Sequence, residues 1–158
     1  MPTTSLSRFV IQPLPADVVA RFRGAPGDDF GRACAPVIAD GGEPMRDQLR
    51  RASPGERLLL GGYQAVPHSS PYAEVGPIFV SAEAPAAAPV VDALPVGYFN
   101  RTFALRAYDA ADRILDSTLV DPADAPERFR EWLARPGVAY LHARFAGHGC
   151  FAAQIIRA

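Results

Sequence analysis

The chain has 158 residues, of which 49% are hydrophobic and 21% are charged, and its formal net charge is −1. A chain of this length is typical of one domain that buries about 70% of the surface its unfolded form exposes, so a core forms without disulfides or metal ions. The charge balance lacks the basic excess that drives binding to phosphate backbones or anionic membranes, which argues against nucleic acid and membrane partners.

The N-terminal part predicts a short strand, a short helix and a loop. Its first residues lack the charged and then apolar pattern of a signal peptide, and no apolar run approaches the roughly 20 residues that span a bilayer, so we expect a cytoplasmic protein. Residues 8–12 fit a strand, and the residues after it fit a helix that turns Val18, Val19 and Phe22 inward. The segment that follows is rich in Gly, Ala, Asp and Pro, with one apolar island at 36–38, and it fits either a loop or a weak edge strand.

Two buried strands joined by a polar loop are predicted in the middle of the chain. The first, at 58–66, opens with three consecutive leucines, as expected for a strand that is covered on both faces. Gly61 and Gly62 permit a bulge or the close approach of another part of the chain or of a ligand. Tyr72 lies in the polar loop, where we expect it to cover the sheet, and 78–81 forms the second strand.

Residues 82–95 are rich in Pro and Ala without helical or strand periodicity, and they predict a surface loop. A hairpin follows, with strands at 103–109 and 113–120 around a three-residue turn. This register pairs Phe103 with Leu119, and it separates apolar from polar side chains on the two faces.

A second helix is predicted over 122–133, with Asp121 as its capping residue and Pro122 as its first residue. Its apolar stripe packs on the sheet and consists of Ala125, Phe129, Trp132 and Leu133.

The final hairpin gathers most of the reactive side chains. A turn of Gly147, His148 and Gly149 is the favoured register, because it keeps polar and apolar residues on separate faces. One face then carries Leu141, Ala143, Phe145, Phe151, Ala153 and Ile155, and the other carries Tyr140, His142, Arg144, Cys150 and Gln154. A four-residue turn would place Cys150 opposite Phe145 and mix the two sets.

Cys150 is the candidate nucleophile, because a thiolate is the most readily activated nucleophile in proteins. In the favoured register His142 lies four residues along the ladder, roughly 13 Å away at about 3.4 Å per residue, so only His148 is near enough to act as a base. The same spacing argues against a metal ion held by these three side chains, and we predict no metal site. Cys34 is distant in sequence from Cys150, and both are expected to be thiols in a reducing compartment.

The chain contains, in this order, the stretches SPGERLLLGGYQ, SPYAEVGPIFV, LRAYDA and VAYLHARFAGHGCFAAQI. Their motifs are Pro-Gly-Glu before a leucine-rich strand, Pro-Tyr followed by Gly-Pro-Ile-Phe-Val, Arg-Ala-Tyr-Asp, and a final Tyr-x-His with Gly-Cys-Phe. With these motifs, residues 44–158 resemble a bacterial family known only as domain of unknown function 1203. The resemblance implies a single stable domain and no assigned activity.

We therefore predict an α+β fold in a single domain, residues 1–158. A mainly antiparallel sheet is built from 58–66, 78–81 and the two hairpins, with about two helices packed on it.

Three functions are open at this point. The leading hypothesis is a cytoplasmic domain that uses no cofactor and binds a small polar or anionic ligand through Arg46, Tyr72, His142 and Arg144. The first alternative is a thiol-dependent enzyme that uses Cys150. The second is a structural or protein-partner module that uses an exposed sheet edge or the Pro/Ala-rich loop. The sequence does not indicate an oligomeric state.

Overall fold

A computed structural model describes residues 8–158, and in this range the chain forms two β-sheets and two α-helices. In chain order the elements are β1 (Phe9–Gln12), α1 (Ala16–Arg23), β2 (Ala35–Ile38), β3 (Pro44–Met45), β4 (Arg50–Arg51), β5 (Arg57–Gln64), β6 (Val75–Ser81), β7 (Val90–Val91), β8 (Phe103–Tyr108), β9 (Ile114–Val120), α2 (Ala125–Leu133), β10 (Tyr140–Phe145) and β11 (Phe151–Arg157). Neither helix in this range has the length and hydropathy needed to cross a membrane.

The strands are divided between a larger and a smaller sheet. The larger sheet has the order β7-β1-β11-β10-β8-β9, and all of its strand pairs are antiparallel. The smaller sheet has the order β2-β5-β6-β3-β4, with one parallel pair between β3 and β6. The predicted α+β class is confirmed, but the strands predicted to share one sheet lie in two. Pairing between distant segments causes this division, and local sequence patterns do not encode it.

Both helices carry the predicted apolar stripes. In α1, Val18 and Phe22 are buried against the smaller sheet, where they join Ile78 and Val80 in one core cluster. In α2 the four predicted stripe residues are all buried in the core of the larger sheet.

The predicted start of α2 is wrong. The helix begins at Ala125, after Asp124, because residues 121–124 form a turn in which the Asp124 N–H donates to the Asp121 carbonyl at 2.9 Å.

The structure also differs from the predictions for the Pro/Ala-rich segment and for the glycine pair of β5. The Pro/Ala-rich segment contains the short strand β7, which pairs with β1 at the edge of the larger sheet. Gly61 and Gly62 do not form a bulge, because β5 and β6 pair residue by residue without a shift. A Cβ at Gly61 would lie 2.5 Å from Cys34 Sγ, and one at Gly62 would lie 2.5 Å from the Phe30 ring, so the glycines allow the chain around residues 28–34 to approach closely.

The predicted register of the β8–β9 hairpin differs from the observed register by one residue over most of its length. Phe103 pairs with Val120 because a bulge lies between Ala107 and Tyr108. The predicted pairing holds only near the turn, where the Asp109 N–H donates to the Arg113 carbonyl at 2.9 Å. As a consequence Leu119, predicted to face the core, is 64% exposed.

In the β10–β11 hairpin the body has the predicted register and the tip does not. His142 pairs with Gln154 as predicted, but the Phe145 N–H donates to the Cys150 carbonyl at 2.9 Å, which defines the four-residue turn that was disfavoured. A register shift between Ala143 and Arg144 accounts for the different pairing in the body and at the tip of the hairpin. Phe151 is thereby turned to the face of His142, whose ring lies 5.0 Å away, and the predicted assignment of Phe151 to the opposite face is wrong.

The two sheets meet through Arg46 and Phe151. The Phe151 ring contacts Tyr63 of β5 at a centroid distance of 5.4 Å. Arg46 is only 3% exposed, and its guanidinium donates to the carbonyls of Phe151 and Pro44, each at 2.7 Å. The same guanidinium lies 5.2 Å from the centre of the Phe145 ring. One buried arginine thus joins the smaller sheet to the tip of the last hairpin.

Candidate functional site

A cleft of about 120 Å³ lies between the end of the smaller sheet and the tip of the β10–β11 hairpin. It is formed where the bulge of the hairpin brings Phe151 against Tyr63 of β5. The polar and aromatic side chains that line it are Tyr63, Glu74, Arg144, His148, Cys150 and Phe151.

Arg144 supplies the positive charge of the cleft. Its Nε donates to the Gly149 carbonyl at 2.8 Å, so the turn of its own hairpin holds the side chain in place. Its Nη2 lies 2.5 Å from Glu74 Oε1. The Arg144 side chain is 16% exposed, whereas the Glu74 side chain, from the loop at 65–74, is 57% exposed. The cation is therefore fixed, and its carboxylate partner belongs to a solvent-exposed loop.

Cys150 and His148 share the cleft with Arg144, but they do not form a catalytic pair. The Cys150 Sγ lies 3.9 Å from the backbone carbonyl of His148, which is a weak contact with the main chain. Within residues 8–158 no hydrogen bond joins the thiol to the imidazole. The arrangement brings a nucleophile near a base without the contact that activates it.

His142 is buried beside the cleft and does not line it. Its Nε2 lies 3.3 Å from Gln154 Oε1, and because that oxygen only accepts, Nε2 carries the proton and Nδ1 is left as an acceptor. Burial lowers the pKa of His142 to about 4, and the charges of Arg144 and Arg106 act in the same direction. The imidazole is therefore neutral at physiological pH.

An aromatic cluster surrounds His142. The Tyr108 ring lies 4.9 Å from the imidazole and stacks on Tyr140 at 5.0 Å. The Tyr140 hydroxyl donates to Asp112 Oδ1 at 2.8 Å, and burial together with this hydrogen bond raises its pKa, so it stays protonated. Within the described part of the chain, the Tyr108 hydroxyl and His142 Nδ1 are the two buried side-chain polar atoms that lack a hydrogen-bond partner.

The loop at 65–74 is attached to the larger sheet at two points. Ser70 Oγ donates to the Asp112 carbonyl at 2.7 Å, and Glu74 pairs with Arg144 as described above. Tyr72 lies between these contacts, and its N–H donates to Ser70 Oγ at 3.1 Å, while its ring is exposed. The Tyr72 ring, which we expected to cover the sheet, faces solvent.

Residues 42–157 match the family described as Protein of unknown function (DUF1203). The chain belongs to this family. The cleft, the aromatic cluster and the loop at 65–74 all lie in the matched part of this DUF1203 chain, whereas α1 and β2 precede it. No curated protein and no solved structure matches the chain. Membership of DUF1203 assigns no activity.

The four side chains predicted to bind a ligand occupy different places in this DUF1203 chain. Arg144 lines the cleft, His142 lies next to it, and Tyr72 is on the loop at 65–74. Arg46 is buried between the sheets and does not line the cleft, although it binds the carbonyl of Phe151, and burial lowers the pKa of its guanidinium. Their roles as ligand contacts stay predictions. Within residues 8–158 no group of three His, Cys, Asp or Glu side chains is arranged to hold a metal ion.

Three residues of the DUF1203 site were not identified from the sequence: Tyr63, Glu74 and Tyr108. Tyr108 had a usable signal, because the alternation of β8 places it on the same face as Arg106 and opposite to the apolar Ala107. Glu74 and Tyr63 had none. Their relation to Arg144 and Phe151 exists only because the smaller sheet packs against the hairpin tip.

Proposed function

We propose that the cleft binds a small anionic ligand through the Arg144 guanidinium. The proposal places the protein in the cytoplasm of a bacterium, where a reducing environment keeps Cys34 and Cys150 as free thiols. Nucleic acid and membranes are not proposed as partners, because a net charge of −1 offers neither one an attractive surface.

The ion pair between Arg144 and Glu74 is the observation that carries the proposal. A carboxylate or phosphate makes short, charge-assisted hydrogen bonds to a guanidinium. Glu74 already makes such a contact from an exposed loop, and a ligand with the same chemistry would compete with it for Arg144. Arg144 needs little reorganisation for this exchange, since the Gly149 carbonyl holds its Nε.

The proposal predicts opposite effects for substitutions of the two partners. We expect R144Q to abolish binding of phosphate and small carboxylates, and E74Q to strengthen binding by up to about fivefold, because an ion pair with one solvent-exposed partner contributes at most about 1 kcal/mol. Isothermal titration calorimetry and thermal shifts with an anion panel measure both. R113Q, which removes an exposed arginine in the turn before β9, is the matched control and should bind like the unmodified protein.

Binding that is unchanged in R144Q would contradict the proposal. Absence of binding by every anion would favour a protein-partner module instead, for which the free edge of β9 with its exposed Leu119 is the available surface.

A thiol-dependent activity is the second candidate. It is favoured by one observation, which is that Cys150 and His148 line the same cleft as Arg144.

A further inference from the structure

The walls of the cleft beside Arg144 are largely apolar. The rings of Tyr63 and Phe151 meet there at a centroid distance of 5.4 Å, and Val66 and Pro77 also line the space. An inorganic anion on the guanidinium would leave these apolar surfaces in contact with water. An anion with an attached hydrocarbon part would cover them, and the burial of apolar surface favours binding.

Gly76 leaves part of this wall without a side chain. It lines the cleft and is the cross-strand partner of Tyr63, and partners in neighbouring strands direct their side chains to the same face. The missing side chain therefore lies on the face of the Tyr63 ring. Apart from the chain neighbours of Gly76, no atom of residues 8–158 lies within 4 Å of the position that its Cβ would take.

Neither the backbone nor the packing of the protein requires a glycine at position 76. Its φ is outside the left-handed region, and β5 and β6 pair without a shift around it. A Cβ at Gly61 would lie 2.5 Å from Cys34 Sγ, whereas the space at Gly76 is open. A glycine inside a strand weakens the strand, and it often marks a place where a ligand or another backbone approaches closely. At Gly76 no other part of the described chain takes that place.

The open space at Gly76 is within reach of an anion bound to Arg144. Glu74 Oε1 lies 2.5 Å from Arg144 Nη2, and Gly76 follows Glu74 by two residues, which is about 7 Å along an extended chain. Both positions line the same cleft of about 120 Å³. Since a cavity of about 150 Å³ can hold benzene, this volume suits an acid of about four or five carbons.

We propose that the cleft binds a short aliphatic monocarboxylate, with its carboxylate on Arg144 and its alkyl chain in the space that Gly76 leaves beside the Tyr63 ring. This proposal rests on the proposed function, because the carboxylate of the ligand takes the place of Glu74. Gly76 is then the residue that determines specificity. A side chain at this position would fill the space for the alkyl chain without touching the guanidinium.

The test is a series of acids of increasing length, titrated into the protein and followed by NMR. We expect butyrate to bind about tenfold more tightly than acetate, because each buried methylene strengthens binding about fourfold and the cleft is open on one side. Octanoate should bind less than about twofold more tightly than hexanoate, since its additional methylenes would extend beyond the cleft into water. Nuclear Overhauser effects should connect the butyrate methyl group to the ring protons of Tyr63.

A G76V variant tests the assigned position of the alkyl chain. Valine suits a strand, and its side chain would enter open space, so urea denaturation should show a stability no lower than that of the unmodified protein. The preference for butyrate over acetate should fall to about twofold or less, while acetate still binds. S117V is the matched control, because it adds the same side chain at an exposed strand position outside the cleft and should leave the preference unchanged.

The outcomes separate this proposal from the proposed function. Equal binding of acetate and butyrate, a preference for butyrate that persists in G76V, or the absence of contacts between butyrate and Tyr63 would overturn the assignment of the alkyl chain. If acetate or phosphate still bound in an Arg144-dependent way, the anion site itself would stand. If R144Q bound every acid of the series as the unmodified protein does, both proposals would be wrong.

Discussion

Arg144 and Cys150 lie in one cleft, yet the hairpin supports them differently. Arg144 is held by the Gly149 carbonyl and by Glu74, and its charge is available to a ligand. Cys150 has only a weak contact with the His148 carbonyl, and its nearest imidazole does not hydrogen-bond to the thiol. A nucleophile needs an adjacent base or a stabilised thiolate, and the local geometry supplies no base. Binding therefore has more support than catalysis.

The thiol can be examined directly with iodoacetamide at pH 6. In a C34S variant, which leaves Cys150 as the one cysteine, we expect native protein to react no faster than free cysteine. C150S provides the blank, and urea-unfolded C34S provides the reference for an accessible thiol. Rapid labelling of native C34S that is lost when His148 is also replaced by Ala would show that His148 activates Cys150, and it would support a thiol-dependent activity.

In strand β5, which lies between β2 and β6, a pair of glycines lets a neighbouring loop approach closely. Asp28 is buried beside it, and its carboxylate accepts the backbone N–H groups of Gly62, Phe30 and Arg32. Although burial alone would raise the pKa of Asp28, these three donors hold it below its usual value. The loop at 28–34 can lie this close to β5 only because Gly61 and Gly62 have no side chains.

We expect G61A to lower the free energy of unfolding by about 1–3 kcal/mol, as overpacking of a buried site does. The new Cβ would meet Cys34 Sγ at 2.5 Å and Asp28 Cβ at 3.0 Å. G76A in the neighbouring strand β6 is the matched control, since nothing lies within 4 Å of its Cβ position. Urea denaturation of both variants measures the difference, and equal stabilities would show that the close approach at Gly61 has no energetic role.

The two helices and the longer strands were predictable from the sequence to within a few residues, whereas the short strands β3, β4 and β7 were not, and register was only partly predictable. The stripe of α2 follows from its apolar spacing, and residues 58–66 contain most of β5. In the two hairpins the sequence pattern favoured one uniform register, but each contains a bulge. The register was right only near the turn between β8 and β9, and only in the body between β10 and β11. A bulge adds one residue to a strand without requiring a particular side chain, so alternation of polarity does not reveal it.

The division into two sheets determines where the candidate site lies. Arg144, His148 and Cys150 were recognisable as reactive residues of one hairpin. Their cleft was not, because its other wall comes from the smaller sheet. The role of Arg46 was hidden for the same reason. Its sequence context gives no indication that it binds the carbonyl of Phe151, which is distant along the chain.

Arg46 should contribute strongly to the joining of the sheets. We expect R46M to lower the free energy of unfolding by about 2–4 kcal/mol, because it leaves the buried carbonyls of Phe151 and Pro44 without donors. The free energy of unfolding of R46K should lie between those of R46M and the unmodified protein, since an ammonium lacks the planar fork that reaches both carbonyls. R101M, at an exposed arginine, is the control. If R46M were as stable as the unmodified protein, the other contacts between the sheets, such as Phe151 with Tyr63 and Leu49 with the core of the larger sheet, would suffice to hold them together.

The position of β11 in the larger sheet has a consequence for biosynthesis. It lies between β1 and β10, so that Phe9 pairs with Arg157. As the chain leaves the ribosome, β5 and β6 can pair soon after they emerge, because they are close in sequence. Strand β1 cannot complete its pairing until β11 has been synthesised, and until then Phe9 and Ile11 are not fully buried. Until β11 emerges, β1 can pair only with the short strand β7, so the nascent chain exposes one apolar edge of β1, and it is in this interval that we expect the greatest need for chaperones.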